Sequence, residues 1–361
     1  MKIIKLLVFC IVYAGGVHHY VHAKDSVNVD SKNDVEFENK LDKKHQNFIP
    51  QYIKTPQLVY PKNLERFANG GKVVLKVRAN TNGTVQHVRV EQSAHPDLEQ
   101  VAVGAILNSR LQPLPEDMTF LQELNFTGIP QGKSVSDAAP FIMPKASKSL
   151  PEYLQYDQAP QMRIVAPVIY PMDLLEQNKK GSAKVYIVIN PEGQVVESEV
   201  ISATEPTFGL AAQASLASWK FSPAYKDHQP SWAVITKEYN FNHYDRDTEL
   251  SHTAKEILNL ITQKKDHFTP ASQLDYMPKA LYRPLPRFTT ETIKKSSSDQ
   301  VLLEFYVDQK GFVQLPRIIS SQQDFVAWLI LTEVKRWQFQ PPMLKGKPVI
   351  TKLQLPIQLN S

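Results

Sequence analysis

Cysteine is almost missing from this chain: Cys10 is the only one in 361 residues. A single thiol can build neither a disulfide framework nor a thiolate metal site. A charge excess of one sign is also lacking. The formal net charge is +5, and loss of Lys2 and Lys5 with the N-terminal stretch would leave +3. The cations are scattered, whereas a nucleic-acid surface needs a clustered basic stripe. Long apolar runs are absent too, since residues 6–17 fall short of the roughly 20 residues of a spanning helix. There is no phosphate loop, dinucleotide fingerprint or nucleophile elbow. His45, His87, His95, His228, His243, His252 and His267 never fall at metal-ligand spacing. Asp97 with Glu99, and Glu197 with Glu199, alternate as surface carboxylates do. These absences lead to the expectation of a non-enzymatic protein with no cofactor, metal or nucleic-acid partner.

Residues 1–23 read as an export signal. Lys2 and Lys5 supply the charged start, residues 6–17 the apolar core, and Val21-His22-Ala23 a cleavage site of the A-x-A type. Phe9 stands where a lipoprotein signal carries a small residue, so lipidation of Cys10 is not expected. An uncleaved anchor is the alternative, and membrane contact is expected only in that case. Export without disulfides fits a bacterial periplasm, where domains with sizeable cores need no staples. Residues 24–52 are polar and without apolar periodicity, and read as a linker. With 42 % apolar and 21 % charged residues the rest is ordinary globular sequence, long enough for two or three domains.

The informative feature is a repeat. Gly193 is followed by Trp219-Lys220-Phe221-Ser222-Pro223, Gly311 by Trp337-Gln338-Phe339-Gln340-Pro341, and Gly83 by Ser109-Arg110-Leu111-Gln112-Pro113. The central apolar residue comes 28 positions after the glycine each time. Three copies of one small domain are expected, over residues 53–130, 159–245 and 276–361. A linker spans 131–158, with a weak helical stretch at 151–156, and a connecting helix lies within 246–275.

Each copy reads as helix, strand, strand, helix, strand. Tyr60-Pro61 opens a helix carrying Leu64, Phe67 and Ala68, and Tyr170-Pro171 one carrying Leu174 and Leu175 and ending at Gly181. Tyr282-Arg283-Pro284 is taken as the third opening. Val73, Leu75 and Val77 alternate with Val74, Lys76 and Arg78, the pattern of a strand with one buried face. Polar turns at Gly83, Gly193 and Gly311 place glycine where positive φ is needed. Second helices follow at 96–106, 207–218 and 325–336, and last strands at 121–127, 233–241 and 349–359. Pro356 interrupts the last of these and demotes it to an edge. Leu250, Ala254, Ile257, Leu258 and Ile261 mark the connecting helix, with Ser251 as its N-cap. The fold class is α+β: three tandem small domains, each a three-stranded antiparallel sheet with two helices on one face.

These residues resemble the C-terminal domain of the TonB energy transducers. In that family a Tyr-Pro opens the domain, a polar turn ends in glycine, and an aromatic-basic-aromatic-x-Pro run closes the second helix. The second copy matches best, the third has a broken opening, and the first puts Ser109 and Leu111 where aromatics belong. The resemblance implies binding of outer-membrane or periplasmic proteins through extended segments that add as a strand to the sheet edge. The implied contacts are Tyr60, Pro61, Tyr170, Pro171, Val234, Thr236, Tyr239, Phe241, Val349 and Thr351. Gly83, Gly193, Gly311, Trp219, Phe221, Pro223, Trp337, Phe339 and Pro341 are assigned structural roles, with both tryptophans in the core. Lys220, Lys335 and Arg336 read as a solvated basic face. The 26 prolines are dispersed and form no rod. A periplasmic binding protein is therefore the first expectation. An inner-membrane-anchored transducer for outer-membrane uptake and a structural envelope assembly factor are the alternatives, and a homodimer stays open.

Overall fold

The structure is a computed structural model that describes residues 6–8, 49–61, 71–93, 95–126, 143–146, 148–242, 245, 247–264, 268–286, 300–320 and 325–359. The fold is α+β, with several small sheets. In chain order the strands are β1 (Leu6–Val8), β2 (Tyr52–Lys54), β3 (Gly71–Ala79), β4 (Val85–Ser93), β5 (Arg110–Leu111), β6 (Met118–Phe126) and β7 (Gln161–Ile164). They continue with β8 (Gly181–Ile189), β9 (Val195–Ala203), β10 (Lys220–Ser222), β11 (Ala224–Lys226), β12 (Gln229–Ser231), β13 (Ala233–Phe241) and β14 (Thr269–Pro270). The last are β15 (Ala280–Tyr282), β16 (Gln300–Val307), β17 (Val313–Ile318), β18 (Gln338–Phe339), β19 (Met343–Leu344), β20 (Lys347–Pro348) and β21 (Thr351–Leu359). The α-helices are α1 (Pro96–Leu107), α2 (Met172–Glu176), α3 (Pro206–Ala217), α4 (His252–Thr262) and α5 (Phe325–Lys335).

Three segments, residues 52–126, 161–241 and 280–359, share one arrangement. Their long strands lie in the order last, first, second: β6-β3-β4, β13-β8-β9 and β21-β16-β17. The middle strand of each puts four alternating residues inside. Val73, Leu75, Val77 and Ala79, then Ala183, Val185, Ile187 and Ile189, then Val301, Leu303, Phe305 and Val307 are all buried. A one-residue slip would send every one of them to the opposite face. Full burial of a Val, Leu, Ile or Phe is worth about 1.5–3 kcal/mol relative to exposure, so the register is firmly set.

The constant spacing of 28 has a physical cause. Gly83, Gly193 and Gly311 have φ of +76°, +77° and +85°. Each carbonyl accepts the N–H of the residue 28 positions on: Leu111 at 2.9 Å, Phe221 at 3.1 Å and Phe339 at 2.9 Å. A Cβ on the glycine would lie 2.2, 2.2 and 2.0 Å from the carbonyl oxygen of that same residue. Glycine is thus required both by conformation and by close backbone approach. Asn80, Asn190 and Asp308 complete each turn, their Oδ1 accepting the backbone N–H groups two and four residues on.

A shared element went unread in the sequence. Short lead-in strands pair with the run after the second helix: Tyr52 opposite Leu111, Met162 opposite Phe221 and Ala280 opposite Phe339. These lead-in residues precede the turn glycine by 31 positions in every case. On that register Tyr282 belongs to the third lead-in strand, not to a Tyr-Pro opening, and the matching position is Phe288, outside the described residues. The helix expected from Pro61 and the third opening helix also lie outside them. Of the first helices, only α2 is described, and it stops at Glu176; Gly181 already begins β8.

The segments are not separate beads. The second and third share one continuous apolar core, including α3, α4 and α5 residues. The first has its own core, into which Ile164 and Tyr282 of the other two segments pack. Strand β7 joins the first sheet in parallel through Ser93 and Ile164, and β10 follows it, giving the order β10-β7-β4-β3-β6. Helix α4 buries Ala254 and Ile257, and its N-cap Ser251 accepts from Ala254 N–H at 3.1 Å. Residues 151–156 contain only a single 3₁₀ turn, Glu152–Leu154.

Candidate partner-binding edges

In an antiparallel ladder the N–H and C=O of one residue point to the same side, alternating along the strand. Thr204 N–H donates to Ser182 O at 2.9 Å, and Ser182 N–H donates to Thr204 Oγ1 at 3.0 Å. Ser182 therefore faces β9, and Asn240, its cross-strand neighbour, faces away from β8. By alternation Val234, Thr236, Glu238 and Asn240 direct their backbone groups outward. The same reasoning from Asn80 N–H, which donates to Thr84 O at 3.0 Å, leaves Thr119, Leu121, Glu123 and Asn125 of β6 facing outward. Among the described residues no strand pairs with the outer side of β6 or of β13.

The two edges differ in length. At β13 the chain covers its own end: Thr248 Oγ1 donates to Asn240 O at 2.9 Å and Asn242 O at 2.8 Å. The loop is held by Lys237, whose Nζ lies 2.6 Å from Asp247 Oδ2 and 4.5 Å from the Tyr239 ring centroid. Burial, then the Asp247 charge, push the Tyr239 hydroxyl well above its usual range; it stays protonated, 3.2 Å from Ser215 Oγ. Three outward residues of β13 remain, against four on β6. Beside β6, Tyr52 donates its hydroxyl to Gln122 Oε1 at 2.9 Å, and burial pushes its pKa up to about 12. That bond ties the lead-in strand to β6.

The third edge is covered at both ends by the chain itself. Thr269–Pro270 pairs in parallel with Thr351 and Lys352, with Thr269 N–H donating to Ile350 O at 3.2 Å. At the other end Leu6–Val8 pairs with Ile357, Gln358 and Leu359. Pro356 does not break β21, as the sequence suggested. Leu302, opposite it, is engaged on the β17 side through Ile319 N–H at 2.8 Å. The missing proline donor thus faces outward, where the Leu6–Val8 pairing ends.

Several expected contacts are therefore unavailable. Tyr239 and Phe241 point into the core, at 2 % and 0 % exposure. Tyr170 is buried too, its hydroxyl donating to Lys179 O at 2.6 Å, and Pro171 is buried beside it. Thr351 is buried, its hydroxyl donating to Thr269 O at 2.8 Å, while Val349 is half-buried and precedes the strand. Tyr60 and Pro61 are half-buried. Only Val234 and Thr236 stand half-buried on the helix-free face with outward backbone groups. Trp219 and Trp337 are buried, and each indole N–H donates to a carbonyl 53 residues earlier, Ala166 at 3.2 Å and Pro284 at 3.0 Å. Phe221 and Phe339 are buried with them, and Pro223 and Pro341 are half-buried. The β6 outward residues escaped the sequence reading, although Leu121 already stood in an expected last strand.

The family model for the Gram-negative bacterial TonB protein C-terminal matches residues 56–127 and 166–243. Two stretches of the chain are TonB C-terminal-like. They hold the two bare edges, while residues 280–359 lie outside both matches. No curated protein matches the chain. Among the described residues no helix is long and apolar enough to cross a membrane.

Proposed function

We propose that this protein binds extended segments of envelope or outer-membrane proteins by adding them as a strand to β6 and β13, and that it works in the periplasm. The observation that supports this is the unpaired outer side of both strands, in the two stretches that match a family of envelope proteins. An extended chain satisfies such N–H and C=O groups with main-chain hydrogen bonds, and side-chain neighbours supply selectivity. We read the third segment as a diverged third copy, on its shared strand order, turn and indole bond. Its edge serves the chain's own residues, so it acts as scaffold. Cleavage after Ala23 would remove Leu6–Val8 and uncover only the far end of β21.

Photo-crosslinking amino acids at Leu121 and Thr236, compared with one at the exposed Lys255 of α4, test the reading in intact cells. Envelope-protein adducts are expected at the two edge positions and not at Lys255. Equal capture at all three positions would refute edge recognition.

A further inference from the structure

Of the basic residues expected on a solvated face, Lys220 and Lys335 are half-buried and Arg336 is buried. Arg336 is 5 % exposed, and its Nε lies 2.8 Å from Glu99 Oε1 of the first segment. Its Nη1 lies 2.5 Å from Glu333 Oε2 of its own segment. The hydroxyl of Tyr282 stands 3.5 Å from the same Glu99 oxygen. Lys335, also in this junction, donates to Val313 O and receives Gln100 Nε2 on its own carbonyl at 2.8 Å. The first and third segments thus meet through a buried cluster of charge. Glu99 Oε2 has no hydrogen-bond partner there, so Arg336 is the main counter-charge for two buried carboxylates. Removing one member of such a set strands the others in a low-dielectric interior.

We propose that Arg336 is a latch that seats the first segment on the third, so that the two bare edges meet a partner as one surface of fixed spacing. Resting on the edge reading, this makes the partner a protein with two extended segments matched to that spacing. Tethered domains would accept any spacing that a linker allows, whereas a rigid pair gains effective concentration only when the geometry fits.

The test needs no partner, so its failure is separable from failure of the edge reading. In a Cys10→Ser background, spin labels are placed through Glu123→Cys on β6 and Glu238→Cys on β13, and pulsed dipolar spectroscopy gives their distance distribution. One narrow distribution is expected with Arg336 present, and a broad one in Arg336→Ala. Should Arg336→Ala fail to fold by circular dichroism, Glu99→Gln, which keeps size and hydrogen bonding, is expected to broaden the distribution instead. A broad distribution with Arg336 in place, or folded variants as narrow as the parent, would overturn the latch.

Discussion

Replacing Gly193 by alanine tests the physical origin of the repeat. At φ +77° the new residue sits in the left-handed region, which costs an L-residue about 1–2 kcal/mol. Its Cβ would also lie 2.2 Å from Phe221 O and 2.9 Å from Phe221 C. Both are backbone atoms, so no side-chain rotation relieves the clash. The Gly193–Phe221 ladder must open, losing a hydrogen bond worth about 0.5–1.5 kcal/mol and loosening the buried Phe221 and Trp219. With about 1.5 kcal/mol of lost Phe221 burial added, these come to about 3–5 kcal/mol, a large share of a typical stability of about 5–15 kcal/mol. Urea unfolding followed by tryptophan fluorescence measures it; with a slope of about 2 kcal/mol per molar the midpoint should fall by about 2 M. Gly346→Ala is the control, because Gly346 has φ +71° but nothing within 4 Å of its would-be Cβ. It should show the conformational cost alone, about 1–2 kcal/mol. If both variants lose the same stability, close approach to residue 221 is not what fixes the glycine.

Proline at Glu123 or Glu238 removes an outward N–H without touching the inner ladder; with the crosslinker kept at Leu121 or Thr236, both variants should keep their circular dichroism and lose adducts at the substituted edge. Arg336→Ala should cost about 3–5 kcal/mol by calorimetry, because Glu99 and Glu333 stay buried without their cation; a smaller loss than at an exposed arginine would contradict the junction. Burial pushes Glu304 upward, but the Gln354 amide and the charges of Arg317 and Lys352 outweigh it and hold the carboxyl below its ordinary value of 4.5. Its stabilising contribution is then fully present above pH 4.5 and fades as pH falls through the folded-state value. Glu304→Gln should accordingly flatten the acid limb of stability against pH, and an unchanged limb would show that Glu304 carries none of it. Asn242 N–H donates to Thr248 Oγ1 at 3.3 Å, so Thr248→Val should free Asn240 O and speed exchange of the Asn242 amide, read by hydrogen–deuterium exchange.

Much of the local structure was legible in the residues. Val73, Leu75 and Val77 alternate because one face is buried, and the polar turns ending at Gly83, Gly193 and Gly311 announce their positive φ, although the close approach to the residue 28 positions on is a tertiary contact. Ser251 is a short-range cap. The lead-in strands were missed because three or four residues such as Ala280–Tyr282 carry no period, and only their partners 59 residues on make them strands. Arg336 and Glu99 were misread for a related reason. A charge in a short polar run looks solvated unless its counter-ion, here 237 residues away, is known.

The sequence alone determined the repeated turn, the strand faces and the second helices, since each depends on residues a few positions apart or on a fixed local spacing. Tertiary structure alone decided which strand edges stay bare. Edge occupancy depends on remote pieces of backbone: Thr269–Pro270 and Leu6–Val8 at β21, and the Thr248 loop at β13. Backbone pairing places no demand on side-chain type, so it leaves no pattern in the residues that do the covering.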